Sequence, residues 1–176
     1  MELSTAIMLI KNGLTRTKET QVWADLGAGT GLFTTALSTL LPDGSTIYAI
    51  DKDRKAINDI SVPSQKIILK KIAMDFVNHP LETEHLDGFL MANSLHFVSN
   101  KLSFLQKVKR NLKPSAKIVF IEYDTEKANA WVPYPITYQS VEDLAHNLGA
   151  ISVEKIGSTP SKYNKATIFS ALLSFS

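Results

Sequence analysis

The stretch Val22-Trp23-Ala24-Asp25-Leu26-Gly27-Ala28-Gly29-Thr30-Gly31-Leu32-Phe33 decides the fold. A short apolar strand runs into three glycines at alternate positions, and the chain then enters a helix-period segment without a break. Glycine has no Cβ, so the backbone can turn sharply there and approach a ligand closely; the loop is expected to lie under a nucleotide-like molecule. On the helical side Leu32, Phe33, Ala36, Leu37, Leu40 and Leu41 recur near the 3.6-residue period, and Pro42-Asp43-Gly44 forces the turn that follows. The next apolar run, Thr46 to Ile50, completes a strand, helix, strand unit and leads into Asp51, twenty residues past Gly31. Doubly wound folds place a carboxylate at that point to accept hydrogen bonds from ribose hydroxyls, so loop and acid read as one site.

Outward from this unit, short apolar runs alternate with helical segments, the pattern of a parallel sheet covered by helices on both faces. Strands are predicted over Val22–Leu26, Thr46–Ile50, Ile67–Ile72, Gly88–Ala92, Ile118–Tyr123, Ile151–Lys155 and Thr167–Leu173. Leu102, Leu105, Val108 and Leu112 mark a helix whose last turn is rich in lysine and arginine, as the negative end of a helix dipole favours. A last helix is expected to open on Ser140, with Asp143 three residues later as a capping-box variant, and to stop at Gly149. No helix separates the final two strands, so they should form a hairpin and the seventh should run antiparallel. The fold class is therefore α/β: a Rossmann-like, doubly wound, seven-stranded sheet, mostly parallel, with helices on both faces. Residues 1–176 read as one domain, with 1–20 an N-terminal helix or lid and 21–176 the cofactor-binding core.

With 44% hydrophobic residues the chain can bury a substantial core. Its 19 basic residues are nearly matched by 17 acidic ones and are scattered, so composition gives no support to a polyanionic partner. There are no cysteines, which excludes disulfides, thiolate metal sites and a cysteine nucleophile. The N-terminus carries Glu2 where a secretory signal needs a basic residue, and no run approaches the ~20 apolar residues of a membrane span. The expected setting is soluble and cytoplasmic.

The kind of ligand turns on position 32. A nicotinamide-binding G-x-G-x-x-G would need glycine there, whereas the sequence has Gly31 and then Leu32. Asp25, two residues before the first glycine, would repel a pyrophosphate but suits a ligand with an ammonium and a positively charged sulfur. Asp25-Leu26-Gly27-Ala28-Gly29-Thr30-Gly31 resembles the first motif of class I S-adenosylmethionine-dependent methyltransferases, D-x-G-x-G-x-G. The resemblance continues through Ala49-Ile50-Asp51, Met74-Asp75-Phe76, the fourth-strand segment Asp87 to His96 and the turn Leu112-Lys113-Pro114, covering roughly residues 20 to 155.

What it implies is S-adenosylmethionine as cofactor, with S-adenosylhomocysteine as product. The loop Gly27, Ala28, Gly29 and Gly31 would lie against the methionine portion, with Asp25 holding the ammonium directly or through water. Asp51 would bind the ribose, Asp75 the adenine amino group, and Phe76 or Lys52 would cover the ring. The Asn93 carbonyl would meet the ammonium again. Asp75 could instead cap a turn, and Lys52 could be a solvated surface residue.

Methyl transfer from a sulfonium is an in-line displacement with a good leaving group, so it needs no protein nucleophile or metal. A hydroxyl acceptor would benefit from a general base, and His96, just after the fourth strand, is the candidate catalytic residue; a wall histidine is the alternative reading. His79, His85 and His146 are expected on the surface. No metal is expected, because Glu122 and Asp124 at the end of the fifth strand lack an acidic or histidine cluster to complete a hard-cation site. Asn93-Ser94-Leu95-His96 departs after its first residue from the Asn-Pro-Pro-aromatic motif of DNA amino-group methyltransferases, which favours a small-molecule acceptor over nucleic acid. Tyr123, the segment Trp131-Val132-Pro133-Tyr134-Pro135 and Tyr163 in the final turn are the candidate acceptor pocket, with cover for the sheet edge as the other role for Trp131 and Tyr134. A cofactor-binding or regulatory protein without turnover is the alternative function, and a nucleotide-binding oxidoreductase is disfavoured by Leu32 and Asp25.

Overall fold

The computed structural model describes residues 1–14, 17–63, 66–83, 85–161 and 166–176. Seven strands, β1 (Val22–Leu26), β2 (Thr46–Asp51), β3 (Ile68–Ala73), β4 (Leu86–Ala92), β5 (Leu112–Tyr123), β6 (Ser152–Pro160) and β7 (Thr167–Ser174), form a single sheet in the order β3-β2-β1-β4-β5-β7-β6. The first five are mutually parallel, and β7 is antiparallel to both its neighbours; the chain between β6 and β7 is too short for the crossover that a parallel pair needs.

The period-2 alternation of strand side chains divides the core. Phe89 and Met91 of β4, Ile118 and Phe120 of β5, and Phe169 and Ala171 of β7 face one layer, where α4 (Lys101–Lys109) and α5 (Tyr138–Leu148) add Phe104, Leu105, Val141 and Ala145. Trp23, Leu90, Val119 and Leu172 face the other, against α1 (Leu3–Ile10) and α2 (Leu32–Leu40). The short α3 (Arg54–Asp59) closes a small cluster of Ala28, Ala49, Ile57 and Ile60. Among the described residues, no helix is long and apolar enough to cross a membrane.

The structure revises several boundaries. Leu112, expected in α4, begins β5: it pairs with Leu86, and a bulge then shifts the register so that Gly88 faces Lys117. The segment Leu112-Lys113-Pro114 is thus strand rather than a turn ahead of it. The cap of α5 is Thr137, whose hydroxyl accepts the Ser140 N–H at 3.1 Å, so Ser140 lies inside the helix. α3 was absent from the expected elements; Asp53 caps it by accepting the Lys55 and Ala56 N–H groups. β6 runs past Lys155 to Pro160 because its pairing with β7 continues through a second bulge. α1 packs on α2, and its Leu9 carbonyl accepts the Ser170 hydroxyl at 2.6 Å; it is a packing helix and lines neither of the cavities described below.

Candidate active site

The strand order reverses between β1 and β4, and it is at their carboxyl ends that a doubly wound sheet leaves a crevice. The glycine loop follows β1 and the Asn93-Ser94 segment follows β4. Gly27 has φ +87°, and a Cβ on it would meet the Ser94 Cβ at 2.4 Å. Ser94 is buried and donates to the Leu26 carbonyl at 2.6 Å, so this serine and the glycine lock the two strand ends together. Gly31, at φ +85°, would drive a Cβ to 2.7 Å from Ile60, and Ala28 packs beside Ile57 and Ile60. Ala28 and Gly31 therefore shape the loop from behind and do not line the cavity. Gly29 differs: at φ +51°, nothing lies within 4 Å of where its Cβ would be.

That open space belongs to a cavity of about 510 Å³ bordered by Gly27, Gly29, Asp51, Asp75, Phe76 and Asn93, with Lys52, Val77, Asn78, Ser94 and Phe97 completing its rim. Asp51 accepts the Gly29 N–H at 2.9 Å through Oδ2 and the Asp53 N–H at 2.9 Å through Oδ1. The carboxylate is thus aimed by its own backbone, with a further lone pair on each oxygen. Asp75 caps the turn that follows β3, accepting the Val77 N–H and the Asn78 amide while still bordering the cavity. The Asn78 amide beside it holds its carboxyl below the usual carboxylate range. Phe76 packs against Phe104 with ring centroids 5.8 Å apart.

Asp25 lies behind the loop, only 1% exposed and off the cavity wall. Its Oδ2 accepts the Thr34 hydroxyl at 2.6 Å, while Oδ1 is buried with no hydrogen-bond partner. Burial pushes its carboxyl up to about 7; the Thr34 bond opposes the shift and the Asp51 charge adds to it. Asn93 takes the left-handed conformation at φ +52°, and its buried Oδ1 also lacks a partner. Asn93, with its orphaned acceptor, and an unfilled glycine cradle border one cavity, an arrangement that a ligand with an ammonium would complete. The residues present therefore fit S-adenosylmethionine.

A second cavity, about 670 Å³, shares Asn93 and Phe97 with the first and is lined further by His96, Tyr123, Asn129, Trp131 and Val132. His96 sits in a 3₁₀ turn (Leu95–Phe97) and is 3% exposed. Its Nδ1 is 2.6 Å from Oε2 of Glu122, itself 1% exposed. Glu122 Oε1 accepts the Leu95 and His96 backbone N–H groups at 2.9 and 3.2 Å, so two backbone N–H groups and the His96 ring converge on one buried side chain. The sequence offers Glu122 only as a metal ligand, whereas the structure makes it the partner of His96. The signal lay in β5 placing Glu122 next to Tyr123, but its pairing with a residue 26 positions away needs the sheet register. Among the described residues, no three histidines or acids converge to hold a metal.

The wall carrying Trp131 is fastened at several points. Asn129 Oδ1 accepts the Trp131 and Val132 N–H groups, the Tyr134 N–H donates to the His96 carbonyl, and Lys101 Nζ donates to the Tyr134 and Val98 carbonyls. Burial holds the Lys101 ammonium below the usual lysine range, with the Glu122 charge opposing that shift. Trp131 is 83% exposed, and the Tyr134 ring covers Lys101 instead of lining the cavity. Tyr163 lies outside the described residues. His79, His85 and His146 are exposed.

A glycine loop and an acid at the switch point of a mostly parallel sheet define a Rossmann-like cofactor-binding protein. Residues 24–120, more than half of the chain, match the methyltransferase domain family, and the chain belongs to it. The activity that defines the family is methyl transfer. Solved structures with the same fold include a SAM-dependent methyltransferase from Aquifex aeolicus, 17% identical over the full length of both chains with a TM-score of 0.69. Another from Leishmania major is 14% identical, with 99% of this chain and 72% of that one covered and a TM-score of 0.75. One from Methanosarcina mazei is 16% identical, with 94% and 96% covered and a TM-score of 0.69. No curated protein matches the chain.

Proposed function

We propose that the protein methylates a small-molecule acceptor held in the cavity of His96, Tyr123 and Trp131, with the cofactor in the adjoining cavity of Gly29, Asp51 and Asp75. The observation that carries this reading is the shared border: Asn93 and Phe97 belong to both cavities, so an acceptor in one can face a donor in the other. The cofactor supplies an electrophilic methyl group on a sulfonium. Toward it, the Asp51 carboxylate would accept the ribose hydroxyls, Asp75 the adenine amino group, and Phe76 with Lys52 would border the ring. Asn93 would turn an acceptor oxygen toward the ammonium, and Asp25 would act from behind the loop through its charge. The chain's part in the reaction is to hold the acceptor in line and keep bulk water away from it.

The volume of the second cavity suits a small molecule. The test is transfer of isotope-labelled methyl from S-adenosylmethionine into metabolite and macromolecule fractions of a cell extract, beside calorimetry with S-adenosylhomocysteine. Label in small molecules is the expected result. Tight cofactor binding with no label in any fraction would instead make the chain a non-catalytic binder of the same fold.

A further inference from the structure

Three features of the second cavity belong together. Its side chains are His96, two asparagines, Val132 and the rings of Phe97, Tyr123 and Trp131; neither a carboxylate nor an ammonium borders it among the described residues. A phosphate, carboxylate or alkylammonium acceptor would meet no countercharge there, whereas a neutral ring finds apolar faces. The basic side chain of the cavity is His96, whose Nδ1 is already committed. Glu122 already accepts two backbone N–H groups through Oε1, so an N–H on Nδ1 completes the 2.6 Å contact at Oε2 and leaves Nε2 as the basic nitrogen. Glu122 is in turn fixed by the Leu95 and His96 N–H groups, so the ring is held by a carboxylate that cannot rotate away. Of the charged groups around the pair, Lys101 interacts with Glu122 and has its ammonium turned onto the Val98 and Tyr134 carbonyls.

We infer that the acceptor is an uncharged aromatic hydroxyl, that His96 Nε2 takes its proton, and that Glu122 is the positioning residue that makes Nε2 available. This rests on the methyl-transfer reading above. In the step, the O–H bond breaks and its proton passes to Nε2, while the oxygen forms a bond to the methyl carbon. The carbon–sulfur bond breaks with its electron pair left on sulfur, and the resulting imidazolium is balanced by the Glu122 carboxylate.

The probe is 4-methylphenol, compared with benzoate and benzylamine, in the presence of saturating cofactor or its product. Trp23 is buried and Trp131 is 83% exposed, so Trp131 emission reports occupancy of the cavity without relying on turnover. The phenol should change that emission at concentrations at least tenfold below the other two, and only the phenol should be methylated. Glu122→Gln keeps the shape but presents an amide N–H to Nδ1, turning the imidazole so that Nε2 carries the proton. It should lower turnover at neutral pH by about 100-fold or more with S-adenosylhomocysteine affinity within about twofold, since general bases contribute ~10²–10⁴. Because a phenol ionises by itself near ~10, the gap between variant and wild type should close as pH rises toward that value, which a merely structural loss would not do. Glu122→Asp should recover part of the rate. Should benzoate or benzylamine bind and be methylated in preference to the phenol, or should Glu122→Gln transfer methyl at the wild-type rate, the inference is overturned while the methyltransferase reading stands. Absence of methyl transfer to any acceptor, with intact cofactor binding, removes both; phenol binding without methylation overturns the proton-transfer role.

Discussion

At the scale of single residues, a carboxyl that is 1% exposed with one orphaned oxygen is costly to ionise, and Asp25 is such a group. Unfolded, it ionises near 3.8; folded, it does so at about 7. Between those values the folded protein holds a proton that the unfolded chain has lost, so stability falls as pH rises through the window and is unaffected by this group below it. The full effect is on the order of 4 kcal/mol at one pKa unit per ~1.4 kcal/mol. Asp25→Asn keeps an oxygen for the Thr34 hydroxyl and has nothing to ionise. Urea denaturation at pH 5 and pH 8 should therefore show the variant gaining on wild type at the higher pH, and a pH-independent difference would refute the assignment. Asp51 makes the opposite case: Asp51→Ala should weaken S-adenosylhomocysteine binding by ~1.5 to 3 kcal/mol, because a charge-assisted contact to hydroxyls has no substitute. Calorimetry on the folded variant checks it, and unchanged affinity would put the ribose elsewhere. Both acids were legible in the sequence from their spacing to the glycines. Glu122 was not, since nothing local links it to a histidine 26 positions away.

At the scale of elements, the glycine loop separates two kinds of requirement that the motif alone presents as one. Gly27 is needed because Ser94 fills the space its Cβ would take, whereas the space at Gly29 is empty and is where the proposed cofactor would lie. Gly27→Ala should therefore destabilise the fold, by at least the ~1–2 kcal/mol of a left-handed alanine and more for the Ser94 clash, seen as a lower Tm. Gly29→Val should leave a folded protein, destabilised by its left-handed backbone, that no longer binds S-adenosylhomocysteine, because its branched side chain projects into the open cavity. If Gly29→Val binds normally in calorimetry, the loop is a tight turn and not a cofactor cradle. The elements that the sequence misplaced share a cause. α3 is six residues long, too short for a helical period to show, and β5 begins before a bulge that breaks its alternation. Thr137 and Ser140 are both good caps, and only the backbone decides between them.

At the scale of the whole molecule, the parallel order and the antiparallel last strand were legible because connection lengths dictate them, whereas the acceptor side was not, being assembled from β4, β5 and the wall at 129–136. That wall yields the last prediction. Trp131 and Tyr134 look equivalent in sequence, two aromatics flanking prolines, but the fold gives them different work. Trp131 borders the second cavity, held by Asn129, while the Tyr134 ring lies over Lys101, 5.8 Å from its ammonium, and only its backbone ties the wall to His96 and Lys101. Truncating an aromatic that stacks on a ring acceptor costs about 0.5–1.5 kcal/mol beyond the area it buries. Trp131→Ala should therefore lower kcat/KM for the acceptor roughly tenfold, the rate equivalent of ~1.4 kcal/mol. Tyr134→Ala leaves both backbone contacts in place and should stay within about threefold of wild type, a change of under ~0.7 kcal/mol. Neither touches the cavity of Gly29, Asp51 and Asp75, so cofactor affinity should stay within about twofold for both, as for sites without shared partners. Steady-state kinetics with saturating methyl donor decides the matter: equal losses in the two variants would mean that the wall acts as a unit, and no loss in Trp131→Ala would move the acceptor away from it.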